Sequence, residues 1–197
     1  MPSSLLKFVK QYSVKIGDRR YKAVKIGNQV WMAENLDYKF PKTESSSNYY
    51  YYSNDETTYG RTGRNCGLLY NWYASKELND NRSTLLPDGW HIPSRDEWNT
   101  LLTYVGGAST AGAKLKASNL TWAQSWGGTD DYGLGIIPSG GGNGSSFSNI
   151  GVRAAFPTLT AAGNSVWYRY FDTSNVSTED TNNKGWGMSI RLIKTLA

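Results

Sequence analysis

Apolar and polar positions alternate near the start of the chain. Tyr21–Ile26 and Gln29–Leu36 each read as a strand, joined by Gly27-Asn28, a two-residue turn suited to positive φ. The alternation puts Val24 and Ile26 on one face, then Val30 and Met32. A different period begins at Ser94-Arg95-Asp96-Glu97, where Ser94 can cap a helix while Glu97, three residues on, reciprocates. Trp98, Leu101, Leu102 and Val105 follow at i, i+3, i+4 and i+7, one apolar stripe. Gly106-Gly107 supplies the left-handed residue at which such helices end. Weaker helical patterns run from about Asn71 to Leu78 and from about Ala111 to Lys116.

Two later stretches keep a period of two. Val166–Phe171 alternates Val166, Tyr168 and Tyr170 with Trp167, Arg169 and Phe171. Trp186–Ile193 alternates Trp186, Met188, Ile190 and Leu192 with Gly187, Ser189, Arg191 and Ile193. Long polar segments separate these patterns. Tyr38–Arg64 carries a Ser triplet and the run Tyr49 to Tyr52, whose side chains cannot all face one core, so some should be exposed or lie against another surface. Ser139–Ser148 is rich enough in Gly and Ser to read as loop. A small antiparallel sheet with one or two helices and a long irregular region is an α+β plan.

At 197 residues the chain can build one domain with a core that needs no metal or disulfide staple. One cysteine, Cys66, excludes an internal disulfide and any Cys-cluster metal site, and it reads as buried. One histidine, His91, excludes multi-His metal centres and leaves a Ser/His/Asp triad a single base. Set between Trp90 and Ile92, it reads as a structural histidine. Asp130-Asp131, framed by glycines, lacks the converging oxygens of a cation site and the opposed geometry of glycoside hydrolysis. It reads as a turn. No P-loop, nucleophile elbow or H-E-x-x-H motif occurs. No catalytic residue, metal or cofactor is therefore expected.

The net charge of +5 is concentrated in residues 1–42, where nine Lys and Arg face three acids. No basic run is sustained, so a solvated strand face is expected rather than a nucleic-acid or lipid contact. No stretch approaches the roughly 20 apolar residues of a membrane span. Met1–Gln11 lacks the apolar core of a secretory signal. Residues 1–17 are expected to be an extension or leader remnant ahead of a single domain over 18–197.

The aromatic residues change the picture. There are 14 Tyr and 8 Trp against 5 Phe, a balance toward rings with a polar handle, suited to half-wet contact surfaces. In Asn143–Lys184, Tyr interleaved with Ser, Gly and Asn has the composition that antibody loops use for adaptable contacts. Along Val166–Phe171 one face would be core and the other, with Tyr168 and Tyr170, a flat binding surface.

Five ordered motifs then carry a family resemblance. They are Val24-Lys25-Ile26-Gly27-Asn28-Gln29-Val30-Trp31-Met32-Ala33-Glu34-Asn35-Leu36, Gly67-Leu68-Leu69-Tyr70-Asn71-Trp72, Pro87-Asp88-Gly89-Trp90-His91-Ile92-Pro93 with Glu97-Trp98, Gly128-Thr129-Asp130-Asp131-Tyr132-Gly133, and Gly187-Met188-Ser189-Ile190-Arg191. Together these resemble the Fibrobacter succinogenes major paralogous domain, a bacterial surface and secreted module, over roughly Asp18 to Lys194. The family is similar to C-type lectin-like folds, including the formylglycine-generating enzymes. The resemblance implies amino- and carboxy-terminal strands paired in one sheet, flanking helices and an irregular ligand-facing half. Leu86 and Leu192 stand where the family often has cysteines, which fits apolar packing in place of a disulfide. Pro157-Thr158-Leu159 stands where it usually reads Trp-Ser-Ser. One cysteine cannot supply the paired site that formylglycine generation needs.

The carboxy-terminal third also resembles the variable proteins of diversity-generating retroelements, in which errors at template adenines rewrite Asn codons on a lectin-like scaffold. Tyr and Asp each lie one adenine change from Asn. The resemblance therefore implies Tyr168, Tyr170 and Asp172 as diversified, ligand-binding positions, with Val152, Arg153, Ala155, Phe156 and Ser177 as further candidates. Trp167 and Arg169 would be the fixed, inward set, and Trp186 cannot arise from Asn this way. The expected protein is a non-catalytic recognition or adhesion domain with an α+β, C-type lectin-like fold. It would bind a protein or glycan on another cell or particle through a segment of about 143–188. Its expected place is the cell surface, the extracellular space or a phage particle. A formylglycine-generating or carbohydrate-active enzyme and a purely structural surface module stay open as alternatives.

Overall fold

The computed structural model describes residues 11–196. Strands β1 (Gln11–Ile16), β2 (Arg19–Ile26) and β3 (Gln29–Met32) meander through two tight hairpins. The second turns at Gly27-Asn28, where Gly27 takes φ 60° beside the Tyr104 ring, a conformation and a clearance that suit glycine. β4 (Tyr49–Tyr50), a 3-10 turn (Tyr52–Asn54), α1 (Glu56–Tyr59) and β5 (Leu69–Tyr70) follow. Next come α2 (Trp72–Asp80), α3 (Arg82–Leu85), α4 (Arg95–Tyr104) and α5 (Ala108–Leu115). The remainder holds β6 (Ser139–Gly142), β7 (Phe147–Ile150), β8 (Ala154–Ala162), β9 (Ser165–Phe171), β10 (Ser177–Asn183), β11 (Met188–Ser189) and β12 (Ile193–Thr195).

These strands form three sheets, in the orders β1-β2-β3-β12, β11-β5-β4 and β10-β9-β8-β6-β7. All pairings are antiparallel except the β6–β8 step. The fold is thus mixed α and β, with sheet predominant. β12 pairs with β3, so the end of the chain closes the sheet that its beginning opened. β1 lies within residues 1–17 and pairs with β2 along its length, so the sheet starts before residue 18 and only residues 1–10 of the expected extension lie outside the described residues. No helix among the described residues is long and apolar enough to cross a membrane.

Helix α4 is the structural link between sheets. Ser94 and Glu97 form the reciprocal capping box that their spacing predicts, and Trp98, Leu101, Leu102 and Val105 are all buried. The Trp98 ring lies 4.5 Å from Trp31 of the first sheet, and 5.4 Å and 6.1 Å from Phe156 and Phe171 of the five-stranded sheet. On the other side of the first sheet, Tyr21, Ala23, Val30 and Met32 pack with Tyr70, Leu78, Leu86 and Leu192. Leu86 and Leu192 thus share one apolar core.

Several expectations are corrected. Val24 and Ile26 do not share a face with Val30 and Met32: Val24 lies opposite Trp31, and Ala23 opposite Met32. The two-residue turn sets this register, and both sheet faces are buried. Ser139–Ser148 is largely strand, and Asn143–Lys184 is mostly sheet rather than loop. Gly140, Gly141 and Gly142 lack side chains because the rings of Tyr52, Trp186 and Phe147 occupy the places where a Cβ would stand. Their composition reports close packing, not a loop. Trp186–Ile193 is broken, with strand only at Met188–Ser189 before β12, because Arg191 is drawn into the interior by acceptors described below.

Candidate functional site

The ladder register of the five-stranded sheet sorts the expected binding residues onto two faces. Ala155, Tyr170 and Thr178 lie in one cross-strand row, and Pro157, Tyr168 and Asp180 in the next, all on the outer face. Ala154, Phe171 and Ser177 form a row on the inner face, as do Phe156, Arg169 and Glu179. Phe156 is 1% exposed against Trp98 and Phe171, so it cannot touch a ligand from this position. Ser177 is buried on the same inner face. Those two candidates are core.

On the outer face Tyr168 is only 5% exposed, packed with Ala155, Val166 and Met188 and flanked by Trp72 and Trp186. Burial, with the charge of Asp180, raises its pKa and keeps the phenol protonated. Tyr170 beside it is half-buried, with ring centroids 5.8 Å apart. The Arg153 guanidinium sits 4.5 Å from the Tyr170 centroid, and its charge works against the rise in the Tyr168 pKa. Val152 is 45% exposed. Ala155 is buried beneath this group. What reaches solvent is Tyr170, Arg153, Val152 and Asp172, with Tyr168 and Ala155 as their floor.

Asp172 begins the β9–β10 loop, its Oδ1 accepting from Ser174 N at 2.8 Å. Partial burial works against the carboxylate, but the Ser174 hydrogen bonds hold its pKa below the ordinary value. The loop is held from beneath. Buried Lys116 donates from Nζ to the carbonyls of Asp172 and Ser174 at 2.9 Å and 2.8 Å, and Gly112 N donates to Asn175 O at 2.8 Å. Thr173, Ser174, Asn175 and Val176 consequently present exposed side chains on an anchored backbone.

Trp167 and Arg169 lie on the packed side, as the alternation implies. Arg169 is buried and donates to Asn99 Oδ1 at 2.9 Å. Arg95 stacks on Trp167 at 4.2 Å and makes a two-pronged bond to Glu179 at 2.6 Å and 2.9 Å. Hydrophobic periodicity missed β10 altogether. Thr178, Asp180 and Asn182 share the outer face with Tyr170, Tyr168 and Val166, but a strand of polar residues offers no apolar alternation. Only Thr178 and Thr181 favour a strand there, on opposite faces, among Asp and Asn residues that strands disfavour, so local propensity carried no signal.

The residues singled out for chemistry are held in structural bonds. His91 Nδ1 faces Gly89 O at 3.0 Å and Nε2 faces Glu97 Oε1 at 2.7 Å. Asp130, at φ 52°, accepts from Gly135 N at 2.8 Å, a turn bond. Cys66 is buried, and burial pushes its thiol pKa up to about 12. Of the tyrosine run, Tyr49 packs against Phe40 and Tyr70, Tyr51 lies within hydrogen-bond distance of Asp37 and Glu56, and Tyr52 packs against Tyr59 and Phe147. Among the described residues no group of three His, Cys, Asp or Glu side chains could hold a metal ion.

Residues of the first and last motifs, with residues flanking the second and fourth, meet at one buried guanidinium. Arg191, 1% exposed, donates to Asn35 Oδ1, to Met32 O at 3.1 Å, to Leu134 O at 2.7 Å and to Gly135 O at 2.9 Å. Asn35 in turn donates to Cys66 O at 2.8 Å and to Ser189 Oγ at 3.2 Å. Burial pulls the Arg191 pKa down to about 9, and Glu34 and Asp130 oppose that shift, so the group stays charged at neutral pH. Segments distant in sequence are thereby tied into one hydrogen-bonded centre, which makes the motifs a signature of the fold. No curated protein and no solved structure matches the chain. The profile of the Fibrobacter succinogenes major domain matches residues 24–194, which include every residue of this centre, and the chain belongs to that family.

Proposed function

We propose that this chain is a non-catalytic recognition domain on a C-type lectin-like scaffold, binding a protein or glycan displayed by another cell or particle. The observation that carries this reading is the Tyr170–Arg153 pair, half-exposed on a floor of packed side chains and bordered by an anchored loop. Such a surface loses little conformational freedom on binding. Its rim offers Thr178, Asp180, Asp172 and the Thr173–Val176 tip as hydrogen-bonding and apolar partners. The engagement of His91, Asp130 and Cys66 in structural roles favours recognition over catalysis. Cell-surface, extracellular or phage-borne display is the setting in which such a face would work.

The same face fits diversification by a retroelement. Tyr170 and Asp172 are one adenine change from Asn and reach solvent, while Trp167, Arg169 and Phe171 alternate with them on the packed side. Tyr168 is the exception, since its ring is floor rather than surface. The test is to sequence codons 143–188 across one source population and to measure adhesion of domain-coated beads to cells and particles from that community. Substitutions concentrated at Tyr170, Asp172 and their outer-face neighbours, with adhesion lost in Tyr170→Ala, are expected. Changes scattered over both faces would remove the retroelement argument. Adhesion untouched by Tyr170→Ala and Arg153→Ala would leave a structural surface module.

A further inference from the structure

A second surface, at the far end of β8 from Arg153, holds unspent hydrogen-bonding groups of one kind. β8 loses register with β9 between Pro157 and Ala161, at the Pro157-Thr158-Leu159 position where the sequence departs from the family pattern. Thr160, from this irregular stretch, joins Asn79, Arg82, His91, Ser94 and Glu97 around a cavity of about 360 Å³, large enough for one small ligand. Leu159 and Ile92 supply its apolar lining.

The acceptors in this cavity are already used. Glu97 Oε1 accepts from His91 Nε2 at 2.7 Å and from Thr195 Oγ1 at 3.3 Å. Glu97 Oε2 accepts from Ser94 N and Ser94 Oγ, each at 2.9 Å. Both His91 nitrogens face oxygen acceptors, an arrangement that favours the doubly protonated ring paired with Glu97. Asn79 Oδ1 accepts from Ile92 N at 3.1 Å.

What is left over is a set of donors. Arg82 spends Nη1 on Asn79 O at 3.0 Å, keeps Nε and Nη2 free, and has no ion pair among the described residues. The Asn79 amide nitrogen and the Thr160 hydroxyl also make no hydrogen bond there. With His91 and Glu97 cancelling, Arg82 leaves the cavity with one uncompensated positive charge.

We propose that this cavity binds an acidic sugar, a uronate, through its carboxylate. Arg82 anchors the carboxylate with its fork geometry. Asn79 and Thr160 donate to ligand oxygens, and Leu159 and Ile92 lie along the carbon face of the ring. A simple hydroxy acid offers the same carboxylate without a ring to cover the apolar lining. This site is separate from the Tyr170 surface and stands without it.

The chain's one histidine makes the test direct, because its imidazole gives a single set of NMR signals. Labelled protein is titrated with glucuronate, glucose and lactate at constant ionic strength, following the His91 ring. A saturable shift with glucuronate is expected, with none from glucose and weaker binding of lactate. Arg82→Gln, at an exposed position, should weaken glucuronate by about tenfold, the worth of one charge-assisted contact. Thr160→Val should weaken it less, and Tyr170→Ala not at all. Equal responses to glucose and glucuronate, or an unchanged titration in Arg82→Gln, would overturn the proposal. Lactate matching glucuronate would overturn the assignment of a sugar.

Discussion

Arg191 and Arg153 are the same residue type placed in opposite circumstances. Arg191 is enclosed, its donors shared among four acceptors from distant parts of the chain. Arg153 lies over one half-exposed ring, on a sheet face that the rest of the molecule covers only in part. The first charge has been withdrawn from water and survives only because every neighbour was arranged around it. The second keeps its hydration and can exchange partners. The centre of this molecule therefore specifies a shape, and its carboxy-terminal sheet carries the surface we propose for recognition.

Changes at the centre should have the largest effects. Arg191→Met strands several buried acceptors at once, and at about 1–3 kcal/mol for each unsatisfied group it should cost about 4 kcal/mol or more. Urea unfolding measures this; a loss below about 1 kcal/mol would contradict the structural role. Phe156→Ala, on the inner face of β8, should cost about 3–5 kcal/mol and abolish adhesion only by unfolding the protein. Gly141→Ala drives a methyl group into the Trp186 indole and should cost about 1–3 kcal/mol, although a sequence reader would take the position for loop.

A pH titration adds a third case, the half-buried pair of His91 and Glu97. Burial alone would raise the Glu97 pKa, but hydrogen bonds from His91 and Ser94 hold it at about 2. Its contribution is therefore present above its ordinary 4.5 and lost as pH falls toward about 2. The Glu97 hydrogen bond raises the His91 pKa above its ordinary 6.5, so that contribution is complete below 6.5 and lost as pH rises through the folded value. Stability from the pair should peak between these limits. His91→Gln should remove the alkaline fall and shrink the acid one, as read from urea midpoints against pH. The smallest effects on stability belong to the outer face: Tyr170→Ala and Arg153→Ala should each change stability by less than about 1 kcal/mol while weakening ligand binding.

The second hairpin, β2–β3, and helix α4 were legible because their signals are local. Gly27-Asn28 sets a turn by its own backbone preferences, and a capping box with an apolar stripe needs only residues within a few positions of each other. The candidate site was legible by half. The alternation along Val166–Phe171 separated the Trp167, Arg169 and Phe171 face correctly. It could not show that Tyr168 would be covered, because Trp72 and Met188, which help cover it, come from α2 and β11. The resemblance implies Phe156 and Ser177 as ligand-binding candidates, and the register of β8, β9 and β10 puts both inside.

By itself the sequence determined the family, the β2–β3 hairpin, the capped helix and the burial of Cys66. Each depends on residue order or on the apolarity of near neighbours. Only the tertiary structure decided that Gly140–Gly142 is a strand, that the outer face of β9 is half covered, that Arg191 ties distant segments together, and that Arg82 is left without an ion pair among the described residues. Those outcomes turn on which distant groups arrive within van der Waals or hydrogen-bond reach, and no local period encodes that.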